Sequence, residues 1–249
     1  MRTLGKRSPQ SREGRWAVSF CCLVLFSTSL AQAEPSLAVH LPLDIRPRAL
    51  REILRKAMPE VDVKVYGRVN DFRHALKQSP PDAIFAFRAA IESTKESMNG
   101  ELKIRLQGQI RGMESEPYVL LSRVPLLVGP DLKLGSIDLM GRNKMIKFIE
   151  KLLGFSKKPK VTLVAKTEDL LTLLQFKLVD GILIPKSAVG RYRDKTQLEL
   201  TITKLPKVNF GLPAVGIINQ KAKSVLVKAF MSLDNATKKT LGVEQWKKF

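Results

Sequence analysis

Short runs of β-branched and aliphatic residues alternate along the chain with segments whose apolar residues recur at helical spacing. The pattern predicts strands over residues 36–41 and 61–66, with a helix over residues 47–58 between them. Pro47 stands in the first turn of that helix and Pro59 lies just beyond its end, where prolines are tolerated. Strands and helices that alternate in this way are typical of α/β folds.

The nearly all-apolar run DAIFAF, residues 82–87, predicts a third strand that is buried on both faces of a sheet. A second α/β unit begins near residue 117. Its predicted strands are residues 136–139, 161–164 and 181–184, and its predicted helices are residues 142–153, 167–179 and 187–193. The chain therefore contains two α/β units in succession.

Extended segments flank the second unit on both sides. Residues 102–112 and 118–128 lie at its start, and residues 198–206 and 210–218 follow it. Strand-like passages both into and out of a module predict two lobes that are joined by a two-stranded hinge. The predicted first lobe is discontinuous. The expected boundaries are residues 34–112 plus 208–249 for the first lobe and residues 113–207 for the second.

The first 33 residues have the charge and hydropathy pattern of an export signal. Five basic residues precede an apolar run at residues 17–30, and Ala31 and Ala33 occupy the two positions that a signal peptidase reads. The apolar run is shorter than the roughly 20 residues that span a bilayer. The sequence therefore predicts a signal peptide, residues 1–33, that is cut after Ala33, and a periplasmic mature protein without cysteine.

The charge of the chain is strongly positive. Of its 43 Lys and Arg residues five lie in the leader, and of its 23 Asp and Glu residues one does, so the rest carries an excess of 16 positive charges. Such an excess favours anionic partners through long-range attraction. The basic residues are scattered and are not interleaved with aromatic residues, so no nucleic acid partner is expected.

The sequence contains no motif of the common nucleotide-dependent or hydrolytic enzymes. No phosphate-cradling P-loop, dinucleotide glycine fingerprint or Gly-x-Ser-x-Gly occurs. The two histidines, His40 and His74, lack the spacing of a zinc motif. We therefore expect a protein that is not an enzyme and that carries no cofactor and no metal.

Three passages, taken in order, resemble the type II periplasmic solute-binding proteins, most closely the phosphonate- and phosphate-binding receptors of ABC transporters. They are DAIFAF at residues 82–87, TEDLLTLLQFKLVDGILIPKS at residues 167–187 and LPKVNFGLPAVGIIN at residues 205–219. The resemblance implies two lobes with a ligand cleft between them. It also implies an inner-membrane ABC permease, or a membrane sensor, as the partner of a monomeric protein.

Ligand contacts are expected where strands end and helices begin, because free backbone N–H groups and the helix dipole favour anions there. Arg88 directly follows the third strand, and Arg142, Asn143 and Lys144 open a helix of the second lobe. We expect Arg88 and Arg142 to hold an anion from opposite sides of the cleft, because a guanidinium suits carboxylate or phosphate. The alternatives are a surface pair of Arg88 with Glu92 and an ordinary helix start at Arg142.

Four more residues are candidates for the lining of the cleft. Lys186 and Ser187 follow the strand GILIP at the equivalent place in the second lobe. Asp44 lies in the loop after the first strand, where it would repel an anion and suits an amine instead. Tyr118 lies near the hinge and either stacks on a ligand or has a structural role.

These observations together predict a periplasmic solute-binding protein that closes its lobes on a small anion. The expected ligand is phosphonate- or phosphate-like, or a carboxylate. One alternative is a binding-protein-like sensory or envelope-interaction module without a transport role. The other is a basic envelope protein that binds polyanions; added salt would weaken that binding steeply.

Overall fold

Two mixed β-sheets with helices packed on their faces form the framework of the protein. The structure is a computed structural model that describes residues 34–95, 98 and 101–249. The predicted signal peptide, residues 1–33, lies outside the described residues. Within the described ranges no helix is long and apolar enough to cross a membrane.

The first sheet combines the beginning and the end of the chain. Its strands are β1 (Ser36–His40), β2 (Asp62–Val65), β3 (Ala83–Phe87), β4 (Lys103–Gln109), β10 (Pro213–Ile217) and β11 (Gln245–Lys248), in the order β11-β4-β10-β3-β1-β2. β1 is parallel to β2 and β3, whereas β10 is antiparallel to β3 and β4. The helices of this part are α1 (Pro47–Ala57), α2 (Val69–Gln78), α3 (Arg88–Lys95), α7 (Lys223–Met231) and α8 (Asn235–Thr240).

The second sheet is built from the middle of the chain. Its strands are β5 (Ser115–Ser122), β6 (Lys133–Ile137), β7 (Lys160–Val164), β8 (Gly181–Pro185) and β9 (Thr201–Gly211), in the order β7-β6-β8-β5-β9. β6 is parallel to β7 and β8, and β5 is antiparallel to β8 and β9. Its helices are α4 (Arg142–Leu153), α5 (Glu168–Gln175) and α6 (Val189–Asp194).

Strand β3 shows why an all-apolar run suits the first sheet. Phe85 contacts Phe230 and Trp246 on one face, with ring centroids 5.1 and 5.7 Å away. Ile84 and Ala86 are buried on the other face, among residues of α2 and α3. Successive side chains of a strand point to opposite faces, so a sheet that is covered on both sides requires apolar residues throughout. The buried strand predicted at residues 82–87 is confirmed.

The chain passes between the two sheets at two adjacent places. The first passage joins β4 to β5, and the second is Leu212, between β9 and β10. The two passages are hydrogen-bonded, since the Leu212 N–H donates to the Glu114 carbonyl at 2.9 Å. The buried Gln107 amide donates to the Leu212 carbonyl at 3.1 Å. The domain boundaries at residues 112/113 and 207/208 stay a prediction.

The predicted helix over residues 167–179 is too long by one turn. The helix ends at Gln175, because Lys177 adopts a left-handed backbone with φ 55°. The Leu178 N–H then turns back to the Leu173 carbonyl at 2.9 Å, which satisfies an end carbonyl of the helix. The predicted extended segment over residues 118–128 ends early as well, because a turn follows Ser122, whose hydroxyl donates to the Val124 carbonyl at 2.7 Å.

Candidate ligand-binding cleft

A cavity of about 150 Å³ lies between the two sheets. Four parallel strands end at this cavity: β1 and β3 of the first sheet, and β6 and β8 of the second. The residues at or just beyond their carboxyl ends line it, namely Asp44, Phe87, Leu139 and Pro185. Ligands of open α/β sheets bind outside the carboxyl ends of the strands. The position of the cavity is therefore that of a binding site.

Aromatic rings form much of the cavity wall. Tyr118 of β5 stacks on Phe210 of β9 with ring centroids 4.6 Å apart. Phe210 also meets the edges of Phe148 and Phe87, at 5.0 and 6.3 Å. Tyr118 is buried, and burial raises the pKa of its phenol, so the ring stays neutral and packs as an aromatic wall. The resulting surface suits an apolar body.

Glu116 brings a carboxylate to this aromatic wall. Glu116 and Tyr118 are two residues apart on β5 and both line the cavity, although the pairing of β5 with β9 is irregular between Pro117 and Val119. The Ser187 hydroxyl donates to Glu116 Oε2 at 2.6 Å. Burial raises the pKa of Glu116, while the Ser187 hydrogen bond and the charge of Arg191 oppose that rise.

Asp44 connects the loop after β1 to the helices of the second sheet. Its carboxylate accepts hydrogen bonds from the Thr167 hydroxyl and from the Arg191 guanidinium. Lys195 Nζ lies 3.8 Å from the same carboxylate. The Tyr192 hydroxyl donates to the Thr167 carbonyl at 3.2 Å and supports this corner. The cluster closes one side of the cavity with charged side chains from both sheets.

The chain matches no family model and no curated protein. Among solved structures, it is similar to a binding protein component of an ABC phosphonate transporter from Pseudomonas aeruginosa. The TM-score is 0.61 and the identity 12%, over 87% of this chain and 82% of that one. XAC2383 from Xanthomonas citri, bound to ATP, gives a TM-score of 0.57 at 10% identity, over 87% and 91% of the two chains. The VFT2 domain of BvgS from Bordetella pertussis gives 0.53 at 14% identity, over 84% and 91%.

The chain has the two-lobed fold of the type II periplasmic binding proteins. The predicted fold class is therefore confirmed. In that fold the first sheet belongs to one lobe and the second sheet to the other, so the cavity lies in the cleft between the lobes. Asp44 then reaches from the first lobe to Thr167 and Arg191 of the second.

Three of the predicted site residues meet at this cleft. Asp44, Tyr118 and Ser187 all line the cavity. Lys186, the neighbour of Ser187, is exposed and is absent from the described lining. The hydroxyl of Ser187 points to a carboxylate, Glu116.

Arg88 and Arg142, the two arginines that are predicted to hold an anion, do not belong to the described lining of this cavity. Arg88 Nε donates to Glu92 Oε1 at 2.9 Å, and its Nη1 lies 3.4 Å from Glu114 Oε2. The surface pair with Glu92 is therefore the arrangement observed. Arg142 is exposed in the first turn of α4.

The other two candidates of the α4 start also lie away from the cavity. Asn143 is exposed. Lys144 lines a second cavity of about 300 Å³, next to Arg73 and Lys77, and its ammonium donates to the Ser93 carbonyl. Asn143 and Lys144 have different surroundings because consecutive residues of a helix point in different directions.

Sequence reasoning missed Glu116 and Arg191, although a signal for each was present. Glu116 stands two positions before Tyr118 in an extended segment, and strand alternation places both on one face. Arg191 stands four positions after Ser187, at the spacing of one helical turn. Each residue could have been found from its neighbour.

His40 is buried beside the cleft, and its contacts are those of a structural residue. Its Nδ1 lies 3.1 Å from the Tyr66 carbonyl oxygen, and its ring stacks on Phe72 with centroids 5.4 Å apart. Burial lowers the pKa of His40, which favours the neutral ring. Among the described residues no group of three or more His, Cys, Asp and Glu side chains is placed to hold a metal ion.

Proposed function

We propose that the protein is a periplasmic solute-binding protein that holds one small molecule between its lobes. The observation that carries the proposal is the cavity, which is lined from both sheets at the carboxyl ends of parallel strands. Its aromatic walls and few polar groups are typical of ligand pockets. The proposal assigns the protein no catalytic role and no cofactor.

The lobes close around the ligand by bending at the two passages between the sheets. In this proposal the lobes follow the predicted bounds, residues 34–112 plus 208–249 and residues 113–207, except that β9 stays whole with the second sheet, so the second passage is at Leu212. The hydrogen bond from Leu212 to Glu114 joins the two passages into a short antiparallel hinge. A ligand that contacts both lobes stabilises the closed state by the contacts that it makes only there.

The proposed partner is an inner-membrane ABC permease that recognises the closed form. Export through the predicted signal peptide, residues 1–33, would deliver a monomer to the periplasm. A membrane sensor is the alternative partner. Loss of solute uptake after deletion of the gene supports the permease, and unchanged uptake with a lost transcriptional response supports the sensor.

The expected anionic ligand, phosphonate- or phosphate-like or a carboxylate, stays a prediction. It derives from the excess of basic residues, but Arg88, Arg142, Lys144 and Lys186 do not line the cavity among the residues that the structure describes. Anions are therefore one class of compound in the binding test, beside amino acids, amines and neutral molecules.

The test is a thermal-shift screen on protein expressed from the full sequence and stripped of ligand by partial unfolding and dialysis. A compound that binds the native state and not the unfolded chain raises the melting temperature, and the stabilisation grows with the logarithm of its concentration above the dissociation constant. Leu43→Trp places a large side chain into the lining and should remove the shift. Leu127→Trp, at an exposed position of the second lobe, is the matched control. If no compound of any class raises the melting temperature, the proposal is wrong.

A further inference from the structure

The charged groups of the cavity lining are few and unevenly balanced. Among the residues that the structure describes, they are the carboxylates of Asp44 and Glu116 and the guanidinium of Arg191. Arg191 is already ion-paired with Asp44, which also accepts the Thr167 hydroxyl. Asp44 is thus held by two cations, Arg191 and Lys195, whereas Glu116 makes no ion pair among the described residues, although the charge of Arg191 still acts on it from a greater distance.

Glu116 is only partly satisfied by protein donors. Of the described contacts it has one hydrogen bond, from the Ser187 hydroxyl at 2.6 Å, and no ion pair within 4.0 Å. An ionised carboxylate offers about four lone-pair sites, and an ammonium offers three donors. Because Glu116 is largely buried, its own desolvation has already occurred on folding; an ammonium would lose its hydration but gain a charge-assisted hydrogen bond, and it would stabilise the ionised form of Glu116.

The rest of the cavity is mostly apolar, apart from the hydroxyl groups of residues such as Ser136 and Thr167, and its volume is limited. Its walls include Phe87, Tyr118, Leu139, Leu183 and Phe210. The volume is about 150 Å³. A cavity of roughly this size, lined by apolar side chains, admits one benzene ring in another protein. The body of the ligand is therefore about one six-membered ring or a branched chain of similar volume.

The carboxylate and the aromatic wall are both presented by β5. Glu116 and Tyr118 line the cavity two residues apart, which corresponds to about 7 Å of backbone along a strand. A ligand with a ring against Tyr118 and Phe210 would thus carry its charged group on a short linker toward Glu116.

We infer that the cleft binds a small primary amine with an apolar body of about one ring, through an ammonium–carboxylate contact with Glu116. The inference rests on the proposed solute-binding function and specifies its ligand class. A carboxylate ligand would meet two carboxylates of the lining, Glu116 and Asp44, as like charges, against the single guanidinium of Arg191. The cavity therefore discriminates against anions although the surface of the protein is basic.

The experiment uses three probes of similar shape on protein expressed from the full sequence and stripped of ligand. They are phenethylamine, 2-phenylethanol and 3-phenylpropanoate, and calorimetry gives the dissociation constant of each. We expect phenethylamine to bind at one site, the alcohol to bind at least tenfold more weakly, and the carboxylate to show no binding. A hydrogen bond to a charged group contributes about 1.5–3 kcal/mol, which corresponds to the expected tenfold or larger ratio.

Glu116→Gln removes the charge and keeps the shape of the side chain. It should weaken phenethylamine by roughly 10- to 100-fold and bring the amine and the alcohol to similar affinity. Glu199→Gln is the matched control, because Glu199 is exposed on the second lobe outside the cavity lining and its change should leave phenethylamine binding unchanged.

The possible outcomes separate the inference from the proposed function. If 3-phenylpropanoate binds more tightly than phenethylamine, or if Glu116→Gln leaves amine binding intact, the amine inference is wrong and solute binding stands. If none of the three probes binds, the amine inference is also overturned, and the broad thermal-shift screen decides the proposed function separately. If Glu116→Gln does not fold, the ranking of the three probes on the unmodified protein still decides.

Discussion

The carboxylate of Asp44, in the loop after β1, is ion-paired with the guanidinium of Arg191 on α6. The first residue belongs to the lobe of the first sheet and the second to the lobe of the second sheet. The pair therefore links the two sides of the cleft beside the cavity that both residues line. Its loss should favour separation of the lobes.

We expect Asp44→Asn to shift the protein toward the open form by a small factor. The Arg191 side chain is 58% exposed, and exposed ion pairs contribute about 0.2–1 kcal/mol, so the shift corresponds to about 1.5- to 5-fold. Small-angle scattering of the Asp44→Asn and Arg191→Gln variants would show a larger radius of gyration.

The control for this prediction is Glu52→Gln, which breaks an ion pair with Arg51 inside one helix. It should leave the scattering curve unchanged. Added salt should open the unmodified protein and leave Asp44→Asn nearly unaffected, because screening acts on the pair. Equal salt responses in the two proteins would contradict the linking role.

Phe210 should control both stability and the size of the cleft. Phe210→Leu removes ring atoms that contact Tyr118 and Phe148, so we expect a loss of about 1–3 kcal/mol in the free energy of unfolding and a larger cavity. Denaturant titration measures the loss. Phe230→Leu, in the core of the first lobe, is the matched control.

The two variants should differ in ligand preference. Phe210→Leu should accept a bulkier apolar body than the unmodified protein, whereas Phe230→Leu should lose similar stability and keep its preference. Identical binding profiles for both variants would show that Phe210 does not shape the site.

Asp82 should make the stability of the first sheet depend on pH. Its carboxylate accepts the Ser36 N–H and hydroxyl at 2.7 and 2.9 Å and the Asn219 amide at 2.6 Å. Burial raises the pKa of Asp82, but these hydrogen bonds outweigh it and hold the pKa below its ordinary value. The contribution to stability is therefore present above the ordinary carboxyl range and is lost as the pH falls through the lowered pKa.

Asp82→Asn should remove that acid-dependent part. Urea titrations between neutral and acid pH would show a smaller fall in the free energy of unfolding for the variant than for the unmodified protein. Asp62→Asn, which removes the exposed partner of a Lys64 pair on β2, is the control and should retain the full acid response. The prediction fails if Asp82→Asn loses stability toward acid as steeply as the control.

Gly141 should be intolerant of a side chain for two separable reasons. Its φ is +88°, which L side chains rarely adopt, and an added Cβ would overlap Nη1 of Arg73 from the first lobe, so that the Arg73 side chain would have to move. We expect Gly141→Ala to lower the free energy of unfolding by at least about 1 kcal/mol, because the backbone strain alone costs about that much.

Gly154→Ala is the matched control, because Gly154 also has a positive φ, of 67°, but nothing lies within 4 Å of its added Cβ. Gly141→Ala should lose more stability than Gly154→Ala, because ψ 143° places Gly141 in a region that is essentially limited to glycine, whereas ψ 29° places Gly154 in the left-handed helical region, and because Arg73 must also move. Equal losses in denaturant titrations would contradict this expectation.

The elements that the sequence predicted well are those whose signal is local. The run at residues 82–87 is apolar throughout, and Arg142 to Leu153 are bounded by glycine on both sides, so strand β3 and helix α4 follow from their own residues. The sequence does not predict the end of α5, because that end depends on Lys177, which adopts a left-handed conformation that is uncommon for lysine.

The candidate site was predicted only in part. Asp44 and Ser187 follow predicted strands, whose ends lie at the cleft of this fold, and Tyr118 is predicted to lie near the hinge; all three line the cavity. Arg88 and Arg142 were chosen by the same rule, yet their side chains lie elsewhere, one held by Glu92 and the other exposed. A position in the chain places a backbone at the cleft, but it does not orient a long side chain.

The sequence by itself determined the alternation of strands and helices and the positive net charge, because periodicity and composition are properties of the chain alone. Only the tertiary structure decided which charges meet at the cavity. Arg191 and Glu116 lie 75 positions apart, counted from their residue numbers, and their proximity exists only after β5, β8 and α6 have packed together. The charge of a binding site is set by the few groups that packing brings to it, and a surplus of cations on the surface does not determine it.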